Sequence, residues 1–252
     1  MAVTIKSERE IQIMRDAGKI LAEVHNKLEE FIAPGISTLD IDRKGEELIR
    51  NAGCIPSFKG YEGYPASICV SINDEVVHGI PNKKHRLFEG DIVSLDAGVI
   101  YNGYQSDAAR THAVGEIDAE ARRLIDVTRE SFFKGIEFAR AGNHLYDISS
   151  AIQKHAESNG FSVVRDLVGH GIGKEMHEEP QIPNYKPKIG RGIKLCPGMT
   201  LAIEPMINAG TYEVWILEDD WTVVTRDGKN SAHYENTVLI TDGEPEILTL
   251  TK

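Results

Sequence analysis

The chain has 252 residues, of which 41% are hydrophobic and 27% are charged, a composition typical of a globular protein. Its formal net charge is −11, without a dense block of lysine and arginine, so a surface for nucleic acid or anionic membrane is not expected. No apolar run is long enough to cross a bilayer, and the first ten residues do not resemble a secretory signal. Three cysteines without CxxC spacing indicate a reduced, cytoplasmic protein.

Helix-forming patterns occur as two pairs along the chain. A shift of 107 residues aligns the two pairs without a gap and places Gly35 on Gly142 and Gly53 on Gly160. Any two helical hairpins share some turn-forming glycines at such positions, but the number of identical residues aligned by the shift favours a duplication. Helical spacing of apolar residues, capping residues and terminating glycines predict helices over residues 8–31, 38–51, 119–139 and 145–158.

We therefore expect an α+β fold in a single domain, with two halves (about 1–115 and 116–252) related by a pseudo-twofold axis and sharing one sheet. Runs rich in β-branched residues supply the strands of this sheet. The predicted strands cover residues 67–72, 91–101, 104–114, 161–168, 199–207, 214–217, 221–225 and 234–241.

Two aspartates lie in one predicted hairpin, SLDAGVIYNGYQSDAAR at 94–110. Asn102-Gly103 favours a type I′ turn, which pairs Gly98 with Asp107 and makes Asp96 a diagonal neighbour of Asp107, roughly 7 Å away. Because Gly98 has no side chain, an empty space is expected beside the two carboxylates. The pair either binds divalent cations or hydrogen bonds to loop amides, and the hairpin alone favours neither.

Three further polar residues interrupt apolar segments. His170 is flanked by glycines, so little bulk is expected to block approach to it. Glu204 and Glu235 each stand inside an apolar strand, where an unpaired ionised carboxylate is unusual. Each could form an ordinary ion pair or lie on an edge strand. Taken together with the two aspartates, they indicate an oxygen-rich site for two metal ions.

Five motifs together resemble one known family, the type I methionine aminopeptidases of bacterial type, which have the pita-bread metallopeptidase fold. The resemblance spans nearly the whole chain. It implies an α+β fold with a curved, mostly antiparallel sheet covered by helices. The motifs are SINDEVVHGIP (71–81), SLDAGVIYNGYQSD (94–107), GHGIGKEMHEEP (169–180), LAIEPM (201–206) and AHYENTV (232–238).

The resemblance assigns roles to particular residues. Without it, the simpler interpretation would be a loop histidine for His78 and a solvated partner of Glu178 or Glu179 for His177. One departure is Asn236, where many family members have histidine; we expect it to affect hydrogen bonding behind Glu235 rather than metal binding. The implied metal ligands are Asp96, Asp107, His170, Glu204 and Glu235, the implied catalytic residues are His78, His177 and Glu204, and the implied methionine pocket is Phe58, Tyr61, Tyr64, Cys69, Met176 and Trp221.

The implied reaction is removal of an N-terminal methionine, with preference for a small second residue. Two divalent ions (cobalt, manganese, iron or zinc) would provide a bridging hydroxide for attack on the scissile carbonyl. In the implied mechanism Glu204 accepts a proton, His177 stabilises the oxyanion and His78 contacts the scissile nitrogen. The expected partners are nascent polypeptides met transiently near the ribosome, for a monomeric cytoplasmic enzyme that binds neither DNA nor membrane.

Two other functions remain open on the sequence. Proline-specific peptidases of the same fold use a similar ligand set, but they usually carry a large additional N-terminal domain. Some pita-bread proteins have lost metal ligands and bind partners without catalysis. The presence of all five ligand residues and both histidines argues against that second alternative here.

Overall fold

A computed structural model describes residues 3–250 of the chain. That part contains four α-helices, and no helix in it is both long and apolar enough to cross a membrane. The helices are α1 (Glu8–Phe31), α2 (Thr38–Asn51), α3 (Ala119–Ile136) and α4 (Leu145–Ser158), and a 3₁₀ turn covers Tyr61–Gly63. The strands are β1 (Ile55–Pro56), β2 (Ile68–Ile72), β3 (Glu75–Val77), β4 (Ile92–Tyr101), β5 (Tyr104–Ala113), β6 (Ser162–Val163), β7 (Gly169–Gly171), β8 (Glu178–Ile182), β9 (Thr200–Ile203), β10 (Met206–Asn208), β11 (Val214–Ile216), β12 (Val223–Thr225), β13 (Ser231–His233), β14 (Asn236–Leu239) and β15 (Glu246–Ile247).

Local sequence determines where the helices begin. At the start of α2, the Ser37 hydroxyl accepts the Asp40 N–H at 3.2 Å, while the Asp40 carboxylate accepts the Ser37 N–H at 3.3 Å. This reciprocal capping satisfies two backbone donors that the helix itself leaves free. The predicted bounds of α1, α2 and α4 match the structure, whereas α3 ends at Ile136, three residues before its predicted end.

The hairpin of β4 and β5 adopts the predicted register throughout. Asn102 and Gly103 both have positive φ, of 48° and 80°, as a type I′ turn requires. Gly98 pairs with Asp107, and Asp96 pairs with Ala109. The face opposite the aspartates is fully buried, so the register is fixed because a shift by one residue would expose that face.

The strands hydrogen bond as four sheets, which contain four, three, three and five strands in the described residues. The four-stranded sheet holds the β4–β5 hairpin, and the five-stranded sheet has the order β15-β14-β9-β7-β8. Ala109 and Glu235 exchange backbone hydrogen bonds at 2.9 and 3.4 Å and thereby connect the two sheets. This junction brings the polar residues of both halves to one place.

Several predicted strands are shorter in the structure than expected; the run 234–241, for example, forms strand only at Asn236–Leu239. The run 199–207 divides into β9 and β10 at Glu204-Pro205, because proline cannot donate a backbone hydrogen bond. The run 161–168 forms strand only at Ser162–Val163. Shifting by 107 residues places α2 on α4, β1 on β6, and β4 on β9 and β10, so the repeat extends beyond the helices.

Candidate active site

A cavity of about 210 Å³ lies where the two larger sheets meet. Its walls come from both halves of the chain, and they bring together every site residue proposed from the sequence. Those residues are Phe58, Tyr61, Tyr64, Cys69, His78, Asp96, Asp107, His170, Met176, His177, Glu204, Trp221 and Glu235. The wall also includes residues that the sequence did not single out, namely Glu62, Val77, Leu167, Val168 and Met206.

Four carboxyl groups and one imidazole converge on one side of this cavity. Ligand atoms of Asp107, His170 and Glu235 all lie within 4.8 Å of one another. Nε2 of His170 lies 3.9 Å from Oδ2 of Asp107 and 3.6 Å from Oε1 of Glu204, both beyond hydrogen-bond length. This imidazole nitrogen therefore faces the two carboxyl oxygens without forming a hydrogen bond to either.

Burial and mutual repulsion oppose ionisation of this cluster. Burial raises the pKa of Asp107 to about 7. Burial, with repulsion from Asp107, holds the pKa values of Asp96, Glu204 and Glu235 well above their ordinary range. Arg110 offsets this only in part, at Glu235, so a bound cation is the natural counter-charge for the cluster.

Unpaired oxygen atoms show that the cluster fits a metal. Oδ1 of Asp96, Oδ1 of Asp107 and Oε1 of Glu235 are buried and have no hydrogen-bond partner in the described structure. A buried polar atom without a partner costs free energy, and such atoms in native proteins usually have an ion or water beside them. Carboxylates with one imidazole are a suitable donor set for manganese, iron, cobalt or zinc.

Hydrogen bonds determine which nitrogen of each histidine is available. Nδ1 of His170 lies 2.9 Å from the Gly171 carbonyl and must donate to it, which leaves Nε2 with a free lone pair toward the carboxylates. Nδ1 of His177 lies 2.8 Å from the Tyr61 hydroxyl, so a donating Tyr61 leaves Nε2 as the N–H of that ring. The two imidazole rings are 4.4 Å apart between centroids.

His177 and Glu178 do not pair with each other, although the sequence left that possibility open. Instead, Glu178 forms a 2.7 Å ion pair with Lys6. His78 lies in the loop after β3, but its side chain lines the cavity, where burial, and to a smaller extent His177, lower its pKa to about 4. Its φ of 60° is strained for a non-glycine residue and indicates that the surroundings hold it in place.

The opposite side of the cavity is apolar and aromatic. The Tyr64 ring lies edge-on to Trp221 at 5.1 Å between centroids, and its hydroxyl donates to the Gly79 carbonyl at 2.8 Å. Tyr64, Cys69 and Met176 are almost completely buried. Rings and sulfur atoms of this kind pack well against a thioether side chain.

Two expectations about glycines were wrong. The space over Gly98 is not empty, because a Cβ there would meet Ser57, Phe58 and Met176 at 2.8 to 3.0 Å. Gly98 therefore lets the pocket wall approach the hairpin. Similarly, Gly171 next to His170 does not open the site, because a Cβ would come within 2.2 Å of a carbonyl of β8. That glycine allows two strands to pack closely.

The sequence analysis also did not identify two residues that lie behind the cluster. Nε2 of His233 lies 3.7 Å from Oε2 of Glu204, and burial lowers its pKa to about 3. Its position two residues before Glu235 on an extended segment could have identified it. Arg110 is a second omission: its guanidinium donates to the Glu235 carbonyl and, at 2.6 Å, to Oδ1 of Asn236.

The fold and the cluster define a class of protein, the metal-dependent hydrolases of the pita-bread fold. The model of "Metallopeptidase family M24" matches residues 12–242. The methionine aminopeptidase of Clostridium acetobutylicum is 61% identical over 98% of this chain and 99% of its own length.

Solved structures give the same result. The methionine aminopeptidase of Thermotoga maritima is 47% identical, with a TM-score of 0.97 over 99% of this chain and all of its own. The prolidase of Pyrococcus furiosus is 26% identical, with a TM-score of 0.79 over 98% of this chain and 66% of its own. The chain belongs to metallopeptidase family M24 and, within it, to the type I methionine aminopeptidases of bacterial type.

Proposed function

We propose that this chain removes the N-terminal methionine from polypeptides whose second residue is small. One observation carries the proposal: a single cavity has a carboxylate-rich cluster on one side and an apolar, sulfur- and ring-lined pocket on the other. The first would bind metal and the second would bind a methionine side chain. The names of the relatives support the same reaction.

The metal ligands in this proposal are the five converging side chains. Asp96, Asp107, His170, Glu204 and Glu235 would hold two divalent ions, drawn from manganese, iron, cobalt and zinc. Ions bound there would bring the pKa of a shared water close to neutral and supply hydroxide for attack on the scissile carbonyl carbon. The buried, partnerless oxygens of the cluster support this assignment.

The other polar residues act on the substrate. Glu204, at the edge of the cluster, accepts the proton released during attack. His177 is neutral because burial lowers its pKa, and with Nδ1 held by Tyr61 its Nε2–H donates to the developing oxyanion. His78, also neutral at pH 7, contacts the scissile nitrogen.

The methionine side chain occupies the apolar side of the cavity. Its residues are Phe58, Tyr61, Tyr64, Cys69, Met176 and Trp221. At about 210 Å³ the cavity is large enough for one side chain of this size and leaves limited room beyond it. That limited room supports the preference for a small second residue.

The cellular setting follows from the substrate. Nascent chains carry N-terminal methionine, so the enzyme acts in the cytoplasm and meets its substrates near the ribosome. We further propose that it acts as a monomer, with the whole chain as one catalytic domain.

The experiment compares peptide cleavage with metal content. Protein stripped with a chelator and then reloaded with Mn²⁺ or Co²⁺ should release methionine from Met-Ala-Ser only when reloaded. It should not cleave Ala-Pro-Ser, the type of substrate that a proline-specific enzyme takes.

Asp107→Ala should lose activity and bound metal together, while Asp126→Ala, a change on the surface of α3, should lose neither. Equal, poor cleavage by stripped and reloaded protein, or full metal content in Asp107→Ala, would contradict the proposal.

A further inference from the structure

An exposed apolar residue, Ile216, directly precedes a hairpin tip that reaches the cavity wall, and it has no assigned role. Ile216, on strand β11, is 64% exposed, although β-branched apolar residues usually lie in the core. Strand β11 is the outer strand of the β11-β12-β3 sheet. The next residues along the chain form the tip of the β11–β12 hairpin, which includes the cavity residue Trp221.

The strand register places Ile216 on the same face of the sheet as the cavity wall. Ile216 pairs with Val223, and Val223 pairs with Val77, so the three form one row across the sheet. Residues paired in this way point to the same face. Val77 lines the cavity. Because neighbouring strands are about 4.8 Å apart, Ile216 lies roughly 10 Å from Val77.

Apolar residues continue between the cavity and the edge of the sheet. Leu167 lines the cavity and also packs, together with Val214 of β11, against the buried cluster that contains Val77 and Val223. Val214 and Ile216 are two residues apart on a strand and therefore share a face. We name the surface formed by Leu167, Val214 and Ile216 the apolar shelf.

The backbone of β11 also has an edge at Ile216 that faces away from the neighbouring strand β12. The Leu217 N–H donates to Thr222 and the Arg226 N–H donates to Glu213, both across the hairpin. In an antiparallel pair such bonded positions alternate, so the N–H and C=O of Ile216 point away from β12 to the open edge. An extended peptide could form hydrogen bonds there.

We propose that the apolar shelf binds the substrate polypeptide after its second residue. This inference rests on the proposed function, because a peptide held by its methionine in the cavity must leave through the mouth. An extended chain advances about 3.3 Å per residue, so a span of roughly 10 Å corresponds to residues three to five of the substrate. The shelf favours apolar side chains there, and it extends specificity beyond the first two residues.

The charge around the shelf determines which substrates are disfavoured. Glu218 and Asp220 are exposed in the hairpin tip that follows Ile216, and the whole chain carries a net charge of −11. Acidic residues at substrate positions three to five would be repelled. Substrates with apolar residues should therefore be cleaved best and acidic ones worst.

The test compares kcat/KM for three peptides of equal length. They are Met-Ala-Leu-Ile-Leu-Ser, Met-Ala-Ser-Thr-Ser-Ser and Met-Ala-Glu-Asp-Glu-Ser. The apolar peptide should exceed the polar one by about five-fold, as partial burial of aliphatic side chains predicts. Ile216→Ser should reduce that ratio to about two or less. Ile216→Lys should raise kcat/KM for the acidic peptide, an increase that misfolding cannot produce.

The neighbouring residue provides the matched control. Trp215 is 57% exposed but pairs with Val224 and so lies on the opposite face of the sheet. Trp215→Ser should keep the five-fold ratio. Equal rates for the apolar and polar peptides, or the same ratio in Ile216→Ser and Trp215→Ser, would overturn the apolar shelf. Failure of the wild-type protein to cleave Met-Ala-Ser would overturn the proposed function instead.

Discussion

At the scale of single residues, the site depends on which atom of each histidine carries its proton. His170 has Nδ1 engaged by a carbonyl, and His177 has Nδ1 engaged by the Tyr61 hydroxyl. The first arrangement leaves a lone pair on Nε2, which in the proposed function binds metal, and the second leaves an N–H, which in the proposed function contacts substrate. One hydrogen bond therefore assigns each of two adjacent imidazoles to a different task.

Removing the Tyr61 hydroxyl tests the task of His177. Tyr61→Phe keeps the ring in the pocket wall but frees Nδ1 of His177, so the imidazole can adopt the wrong tautomer. We expect kcat for Met-Ala-Ser to fall roughly ten-fold, less than the loss of about 10²-fold or more that follows removal of an oxyanion donor. Metal content should stay at the wild-type value, as measured on the same protein samples.

Tyr212→Phe is the control for this change, because Tyr212 is an exposed residue outside the cavity wall. It should retain the wild-type kcat. If Tyr61→Phe also retained it, the hydrogen bond would have no part in orienting His177.

At the scale of structural elements, strands β5 and β14 hold the metal cluster together. The Thr237 hydroxyl accepts the Asp107 N–H at 3.0 Å and donates to the Asp107 carbonyl at 2.9 Å. Thr249, near the C-terminal end of the described residues, donates to Oδ1 of Asn236 at 2.9 Å and accepts the Thr237 N–H at 3.2 Å. The segment after β15 thus supports β14, the strand that begins directly after Glu235.

Thr249→Val should weaken metal binding without unfolding the protein. The change keeps the size of the side chain but removes the hydroxyl that bridges Thr237 and Asn236. Residues that orient metal ligands typically contribute about ten-fold or more to affinity, so we expect the Kd for Mn²⁺ to rise about ten-fold by titration calorimetry. Thr249→Ser, which keeps the hydroxyl, should bind like the wild type.

A matched control separates this effect from lost stability. Thr38 is also fully buried, and its hydroxyl likewise accepts one N–H and donates to one oxygen, both of Asn82. Thr38→Val should therefore lower the melting temperature to a similar extent but leave the Kd for Mn²⁺ unchanged. Equal metal affinity in Thr38→Val and Thr249→Val would show that Thr249 has no specific link to the ligands.

The same elements explain what sequence could predict. The β4–β5 hairpin was predicted residue by residue because Asn102-Gly103 fixes the turn and alternation fixes the register. The family motifs indicated the ligands and pocket residues. Arg110 could not be found in this way, because its role depends on contacts with Glu235 and Asn236, more than one hundred residues further along the chain. Thr249 was missed because it lies outside the motifs and contacts Asn236 and Thr237 only through side-chain hydrogen bonds. Likewise, Gly98 and Gly171 are needed for close packing, and the distances between packed elements cannot be read from the sequence alone.

At the scale of the whole molecule, a buried carboxyl outside the metal cluster links stability to pH. Burial raises the pKa of Glu75, on β3, from 4.5 to about 7. Glu75 accepts the Ile72 N–H at 2.7 Å, and Nδ1 of His85 lies 3.8 Å from its other carboxyl oxygen. The folded state therefore binds the Glu75 proton more tightly than the unfolded state does.

The direction of the pH effect follows from that difference. Below about pH 4.5 the group is protonated in both states and costs nothing. As pH rises toward 7, only the unfolded state loses the proton, so the free energy of unfolding falls. Above pH 7 the full penalty applies, and a pKa shift of this size corresponds to about 3 kcal/mol.

Glu75→Gln should remove this penalty while keeping the acceptor for Ile72. In urea unfolding, the variant should exceed the wild type in stability by about 2 to 3 kcal/mol at pH 8 and by much less at pH 5. Comparing the two proteins at each pH cancels the titration of the metal cluster, which they share. Glu23→Gln makes the same change on the exposed face of α1 and should alter neither value. A Glu75→Gln variant that is less stable than the wild type at pH 8 would mean that the ionised carboxylate supports the fold through its contacts with Ile72 and His85.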